Sequence, residues 1–212
     1  VSFLLVKEKT CKNIDNQGEI LMADFVSFKG QFLVAAPNMK DPIFAQSVIY
    51  LCEHSPKGAM GLVINRAVAL SVASLMERVG IENHNERLEE AMLFDGGPVQ
   101  VERGFVLHSP QKKYHSSLML TDNMTLSTSK DVLEAMADAE RCPEKFFVSL
   151  GYAGWSEGQL EDELSVSGWL IAPADEAIIF DVPAERRYEA ALASIGLTPN
   201  DFGNWMDGSG HA

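Results

Sequence analysis

Leu150-Gly151-Tyr152-Ala153-Gly154-Trp155-Ser156-Glu157-Gly158-Gln159-Leu160-Glu161 runs an apolar strand into three glycines, two large aromatics and a helix-starting serine within twelve residues. Glycine opens backbone angles and close approaches that a side chain forbids. The segment therefore reads as a strand that packs tightly around its glycines and then enters a short acidic helix, with Ser156 and Gln159 at capping-box spacing. Gly151-Tyr152-Ala153-Gly154 has no serine between its glycines, so it is not a strand-turn-helix nucleophile elbow. Two more glycine turns, Gly58-Ala59-Met60-Gly61 and Asp95-Gly96-Gly97-Pro98, also adjoin apolar runs.

Outward from this segment, strand-like runs alternate irregularly with helices. Phe32 to Ala36 stops at Pro37, while Ser47 to Cys52 and Met60 to Ile64 are apolar on both faces and read as buried central strands. Ser55-Pro56-Lys57-Gly58 has turn chemistry, which predicts that these two pair as an antiparallel hairpin. Further strands are expected at Gly104 to His108, Leu118 to Thr121, Phe146 to Leu150, Trp169 to Ala172 and Ala177 to Asp181. Helical stripes appear at Val72, Leu75, Met76 and Val79, at Val132, Leu133, Met136 and Ala139, and at Tyr188, Ala191, Leu192 and Ile195. Thr128 with Asp131 gives a capping-box spacing, Pro183 marks a helix entrance and Gly196 a helix exit. Strands that follow one another without intervening helices predict an α/β (α+β) fold with mixed β-sheets flanked by helices. Val1 to Leu21 read as a disordered extension, and residues 22–212 as a single domain.

The charge balance limits the partners. Thirty acidic against 17 basic residues give a formal net charge of −13, which repels a phosphate backbone, and the only basic clusters are the pairs Lys112-Lys113 and Arg186-Arg187. Direct nucleic-acid binding is not expected. The apolar helices are separated by strands, which leaves no helix-turn-helix pair. No segment reaches the roughly eighteen apolar residues needed to span a bilayer, and Val1 to Val6 is too short for a signal-peptide core. Three widely spaced cysteines, Cys11, Cys52 and Cys142, make no disulfide framework and fit a reducing cytoplasm.

Chemical motifs are few. A phosphate loop and a dinucleotide fingerprint are both absent, and no cofactor is expected. Cys52 and His54 share one strand with His108 ending another, but two residues two apart without an identified third ligand read better as packing or capping groups than as a metal site. Glu53 and His54 are neighbours on a strand and should face opposite sides, which disfavours a direct acid-base pair. Asn65-Arg66 ends a strand. Arg66 has the planar fork to hold a carboxylate or phosphate, although pairing with a nearby acid is the commoner use. The turn after Ile64, the Gly96-Gly97-Pro98 turn and the Gly151 to Trp155 segment each follow an apolar strand, and are expected to converge at one edge of the sheet.

Taken in order, Phe32 to Pro37, Asp41-Pro42-x-Phe44, Ser47 to His54, Gly58 to Arg66, Gly96 to Val99, Arg103 to His108 and Gly151 to Trp155 resemble the AlgH, or YqgE-like, family of bacterial proteins. The resemblance runs from about Gly30 to Ala212. Departures are local: Ala67 stands where the family has Pro, Lys130 replaces an Arg, and Ser167-Gly168 replace Asn-Ala. The resemblance implies a cytosolic α/β protein of unassigned activity, and no catalytic residues carry over. Members bear the label of transcriptional regulator, inherited from a genetic effect on alginate production. The leading expectation is a non-enzymatic binding or regulatory module for a protein or small-molecule partner. Its candidate contacts are Glu53, His54, Asn65, Arg66, Gly96, Gly97, Gly151, Tyr152, Gly154 and Trp155, with Trp155 as the aromatic anchor. The alternative is an enzyme built around Glu53, His54, Asn65 and Arg66.

Overall fold

The computed structural model describes residues 13–14, 20–21, 25–110 and 113–202. Of the segment expected to be a disordered extension, it describes only β1 (Asn13–Ile14) paired antiparallel with β2 (Ile20–Leu21). The remaining strands are β3 (Gln31–Ala35), β4 (Val48–Ser55), β5 (Gly58–Val63), β6 (Ala67–Ser71), β7 (Met92–Asp95), β8 (Val99–His108), β9 (Ser117–Thr121), β10 (Met124–Ser127), β11 (Phe146–Ser156) and β12 (Trp169–Pro173). Helices are α1 (Val72–Arg78), α2 (Arg87–Glu90), α3 (Lys130–Met136), α4 (Gln159–Ser165), α5 (Glu176–Phe180) and α6 (Arg187–Ser194).

One curled sheet holds the ten strands β3 to β12, in the order β12-β3-β4-β5-β11-β8-β10-β9, with β7 added to β11 and β6 to β7. The predicted β4–β5 hairpin is present and antiparallel. The parallel pair β7–β11 makes the sheet mixed. β11 spans the join between the two halves of the sheet: Val148 to Leu150 lie beside β7, whereas Ala153 to Ser156 lie beside β5. Along the first half of β11 the pleat sends Phe147 into one core with Phe105 and Leu107, and Val148 into a second core with Val106. The first core carries α4, α5 and α6 against β3, β4, β5 and β12 through residues such as Leu160, Ile179 and Leu192. The second buries Val72 and Met76 of α1, Leu88 of α2, and Val132 and Met136 of α3.

Four local expectations are corrected. Ala177 to Phe180 belong to helix α5, with Asp181 as its C-cap, and not to a strand: Asp175 accepts the Ala177 N–H at 2.9 Å and starts a turn that buries Ile178 and Ile179 side by side. Ser129, not Thr128, precedes α3, and its hydroxyl is taken up by Asp131. The acidic helix starts at Gln159 behind left-handed Gly158, while the Gln159 side chain reaches back to the Ser156 N–H at 3.1 Å. Val79 and Ala139 lie outside the helices and are exposed: Val79 is the C-cap one residue past the end of α1, and α3 ends at Met136, three residues before Ala139. Among the described residues no helix is long and apolar enough to cross a membrane.

Candidate functional site

A bulge in β4 decides where the candidate residues point. Leu51 pairs with Gly61 and Glu53 with Met60, so Cys52 is an extra residue that shifts the pleat. Glu53 then shares a face with Met60, Gly154 and Tyr152, whereas His54 shares the opposite face with Ala59 and Trp155. His54 is fixed there. Its Nδ1 accepts the Phe28 N–H at 2.9 Å, its Nε2 lies 2.9 Å from Glu161 Oε1, and the Phe28 ring stacks on it at 5.3 Å. Trp155, the expected surface anchor, is only 7% exposed, and its indole N–H donates to Glu163, which also accepts from Trp169. It locks α4 onto the sheet.

Asn65 is a clamp: its side-chain oxygen accepts the Val48 N–H and its amide donates to Gln46 O, holding the loop that enters β4. Arg66 donates to the Ala45 carbonyl at 3.3 Å and makes no ion pair among the described residues, contrary to the pairing with an acid that its setting suggested. Glu53, His54, Asn65 and Arg66 therefore do not form one constellation. Cys52, His54 and His108 do not meet either, and the described residues contain no group of three metal-ligating side chains.

The turn after Ile64, the Gly96-Gly97-Pro98 turn and the start of the Gly151 to Trp155 segment do converge, in the middle of the sheet and not at its edge. Gly96 donates to Leu150 O at 2.8 Å and accepts from the Val63 N–H at 2.9 Å, and the Asp95 N–H donates to Arg66 O at 2.9 Å. Gly97 (φ +140°) and Gly151 (φ +73°) are packed so closely that a side chain on either would strike the other's strand. Gly96, Gly97 and Gly151 thus serve the join where β11 changes partners.

That join borders an open concavity. Opposite the single residue Gly151, β8 loops out through the four residues Gln100–Arg103, with Gln100 in left-handed backbone at φ 50°. A non-glycine residue held there stores strain of the kind often found at functional sites. The outpouching overhangs an open cleft of about 840 Å³ whose floor includes Met60, Phe105, Tyr152 and Gly154. Glu53 stands at one side, and the hydroxyls of Ser116 and Thr128, 3.0 Å apart, stand on the other. Arg103 donates to Gln100 at 3.3 Å and to Thr128 at 3.2 Å, and its guanidinium lies 5.5 Å from the Phe105 ring. No carboxylate pairs with it among the described residues. Sequence reasoning found Glu53, Tyr152 and Gly154 but missed Arg103 and Gln100, which the pairing of β8 with β11 brings into play.

On the opposite face of the sheet, His108 is fully buried and hydrogen-bonded to Ser127. Burial pushes its pKa below the usual 6.5, although a backbone hydrogen bond at Ser109 opposes this. The unfolded chain therefore binds a proton more readily than the native one, and the stabilisation from neutral His108 is complete above about pH 6.5 and lost as the pH falls toward the depressed native value. Urea titrations at pH 7.5 and 5.5 are expected to show a steeper loss for the native protein than for His108→Gln, by at most about 1.4 kcal/mol per pH unit. Parallel curves would remove His108 as the cause.

Comparison with known proteins agrees with this architecture. A family model described as AlgH-like matches residues 32–200. A UPF0301 protein of Chromobacterium violaceum is 48% identical over 175 residues, covering 82% of this chain and 94% of that protein. One from Bordetella avium is 50% identical over 177 residues, covering 84% and 89%. The solution structure of the AlgH protein from Pseudomonas aeruginosa superposes with a TM-score of 0.72 at 46% identity, covering 91% of this chain and all of that one. A crystal structure of a Corynebacterium diphtheriae protein, 22% identical with a TM-score of 0.61 over 81% of this chain and 88% of that one, shares the fold. The chain belongs to the AlgH-like family of UPF0301 proteins.

Proposed function

We propose that this protein is a binding module whose ligand occupies the cleft beneath the β8 outpouching. The observation that carries this reading is Arg103, a guanidinium held by neutral oxygens and an aromatic ring on a strained loop, with no acidic partner among the described residues. Such a group suits an anionic ligand, because a charge-assisted bond to a carboxylate or phosphate is about twice as strong as a neutral one. Met60, Phe105 and Tyr152 offer apolar area beside it, so the ligand class is an organic anion with an apolar body, free or as part of a partner protein. Duplex nucleic acid is a poor candidate, since the whole chain carries a net charge of −13. The reading assigns the module to the reducing cytoplasm, supported by the buried, unbridged thiols of Cys52 and Cys142.

A panel of aromatic and aliphatic carboxylates and phosphates, with a short DNA duplex included, would be titrated against the nitrogen-15-labelled full chain. Expected are shifts at Gln100 to Phe105, Tyr152 and Gly154 with the anions and none with DNA. Arg103→Ala should weaken binding at least about tenfold while leaving stability within about 1 kcal/mol, because the residue is exposed. Binding that ignores Arg103→Ala, or an absence of binding by every anion, would sink the proposal.

A further inference from the structure

A groove of about 650 Å³ lies between the first residues of β7 and β11 and helix α5, and it shares no lining residue with the cleft beneath β8. Met92 and Phe94, two residues apart, lie on one face of β7. The parallel register of Val148 with Leu93 puts Phe147 level with Met92 on that face, and the Phe94 and Phe147 rings meet at 4.4 Å. These side chains make one wall of the groove, and Ile179 and Phe180 of α5 make the other. Arg187 lines it from the buried side, with its guanidinium 4.9 Å from the Phe94 ring and 5.9 Å from the Phe147 ring. Of its five donors, the Nε–H goes to Val182 O at 2.9 Å and Nη1 donates to Ile64 O. Nη2 makes no hydrogen bond among the described residues, and it is not one of the sealed, unpartnered side-chain atoms, which belong to Ser47, Tyr50 and Ser149. Its two N–H groups therefore face open space, and the groove is the space that Arg187 lines.

We propose that this groove is a second ligand site, which takes a monocarboxylate with a compact apolar body: the carboxylate accepts from Arg187 Nη2 and the body lies between Phe94, Phe147 and α5. The inference stands apart from the reading of the cleft beneath β8. Arg187 is 6% exposed and forms no ion pair among the described residues, so its charge is held out of water by two carbonyls and two rings alone. A buried cation gains most from a counter-ion that reaches it without displacing its existing bonds, and a carboxylate on a guanidinium N–H is a strong, charge-assisted partner. The charges around the groove favour one negative charge over two. Lys145 is already bound to Asp181 at 2.9 Å, and Glu144 and Glu185 line the same space, so a phosphate dianion would meet carboxylates where a monoanion meets only Nη2. Arg87 is exposed, donates to Glu144 O and lies 5.2 Å from the Phe146 ring; water screens it, and it attracts an anion without fixing it. The volume is that of a site for a small organic molecule.

Phenylacetate is the probe and phenylacetamide its uncharged control. Both are titrated against the nitrogen-15-labelled full chain carrying Arg103→Ala, which removes the cation of the other cleft. Shifts are expected at the amides of Met92 to Phe94, Phe147 and Ile179 to Val182, with the acid bound at least about tenfold more tightly than the amide. Phenyl phosphate should bind more weakly than phenylacetate. Arg187→Met should erase the preference for acid over amide, a result that a purely bracing arginine would not give. Because that variant also loses stability, Met92→Glu is the second: Met92 is 50% exposed, so the fold tolerates the change, while the new carboxylate repels the probe and should weaken it at least about tenfold. The proposal is overturned by unshifted groove amides at about 10 mM probe, by equal binding of acid and amide, or by tighter binding of phenyl phosphate. It is equally overturned by a folded Arg187→Met protein that keeps the preference, or by native affinity in Met92→Glu. Shifts confined to Gln100 to Phe105 would place the probe in the cleft beneath β8 and remove the groove as a site.

Discussion

Replacing Gly97 by alanine is expected to cost more than about 4 kcal/mol, enough to leave a domain of ordinary stability largely unfolded. The added Cβ would lie 2.4 Å from the carbonyl carbon of Tyr152 and 2.5 Å from both Tyr152 O and Ala153 N. These are backbone atoms of β11, and moving them means breaking the pairing of Ala153 with Gly61 and of Gly154 with Met60. A φ of +140° adds strain that no neighbour can relieve. Gly80→Ala separates the two causes: Gly80 also has positive φ, +69°, but nothing lies within 4 Å of its added Cβ. That variant should lose only about 1 kcal/mol, the cost of the backbone angle alone. Urea denaturation of the two proteins side by side is the measurement. A Gly97→Ala protein within about 1 kcal/mol of Gly80→Ala would show that the sheet can open at the join.

The contrast explains what could be read in the sequence. Gly97 and Gly151 were recognisable as positions that need glycine, because such turns leave a compositional mark. The β4–β5 hairpin was recognisable for a similar reason, with Ser55-Pro56-Lys57-Gly58 between two apolar runs. The helix at Ala177 to Phe180 reads as a strand in the sequence because a run of four apolar residues has no decisive period, and only the capping residue Asp175 marks it as a helix. Bulges have no such mark. The extra Cys52 in β4 and the outpouching Gln100–Arg103 in β8 arise from register between distant strands, and they determine that Glu53 and Arg103 reach the cleft while His54 does not. The contact between Ser127 and His108 likewise depends on β10 pairing with β8, which sequence spacing does not reveal.

Arg187 is a further case that composition hid, and its removal should give the second large loss of stability. In sequence it is one of two adjacent arginines; in the fold it is 6% exposed, and burial pushes its pKa down to about 10. Its guanidinium donates to Ile64 O and Val182 O and lies 4.9 Å and 5.9 Å from the rings of Phe94 and Phe147, joining α6 to the ends of β5 and α5. Two effects oppose each other on truncation. Alanine relieves the cost of a buried cation that has no carboxylate partner among the described residues, but leaves two carbonyls without their donors, at about 1 to 3 kcal/mol each, and removes packing from both rings. The losses are the more numerous, and Arg187→Ala is expected to destabilise by about 3 kcal/mol. Arg187→Met keeps most of the stem, sheds the charge and leaves the same carbonyls unpaired, so it should recover part of the loss and remain below the native protein. Urea midpoints at constant slope decide the order native, Met, Ala. A methionine variant more stable than the native protein would mean that desolvation of the guanidinium outweighs its two hydrogen bonds, and that Arg187 is kept for a reason other than stability.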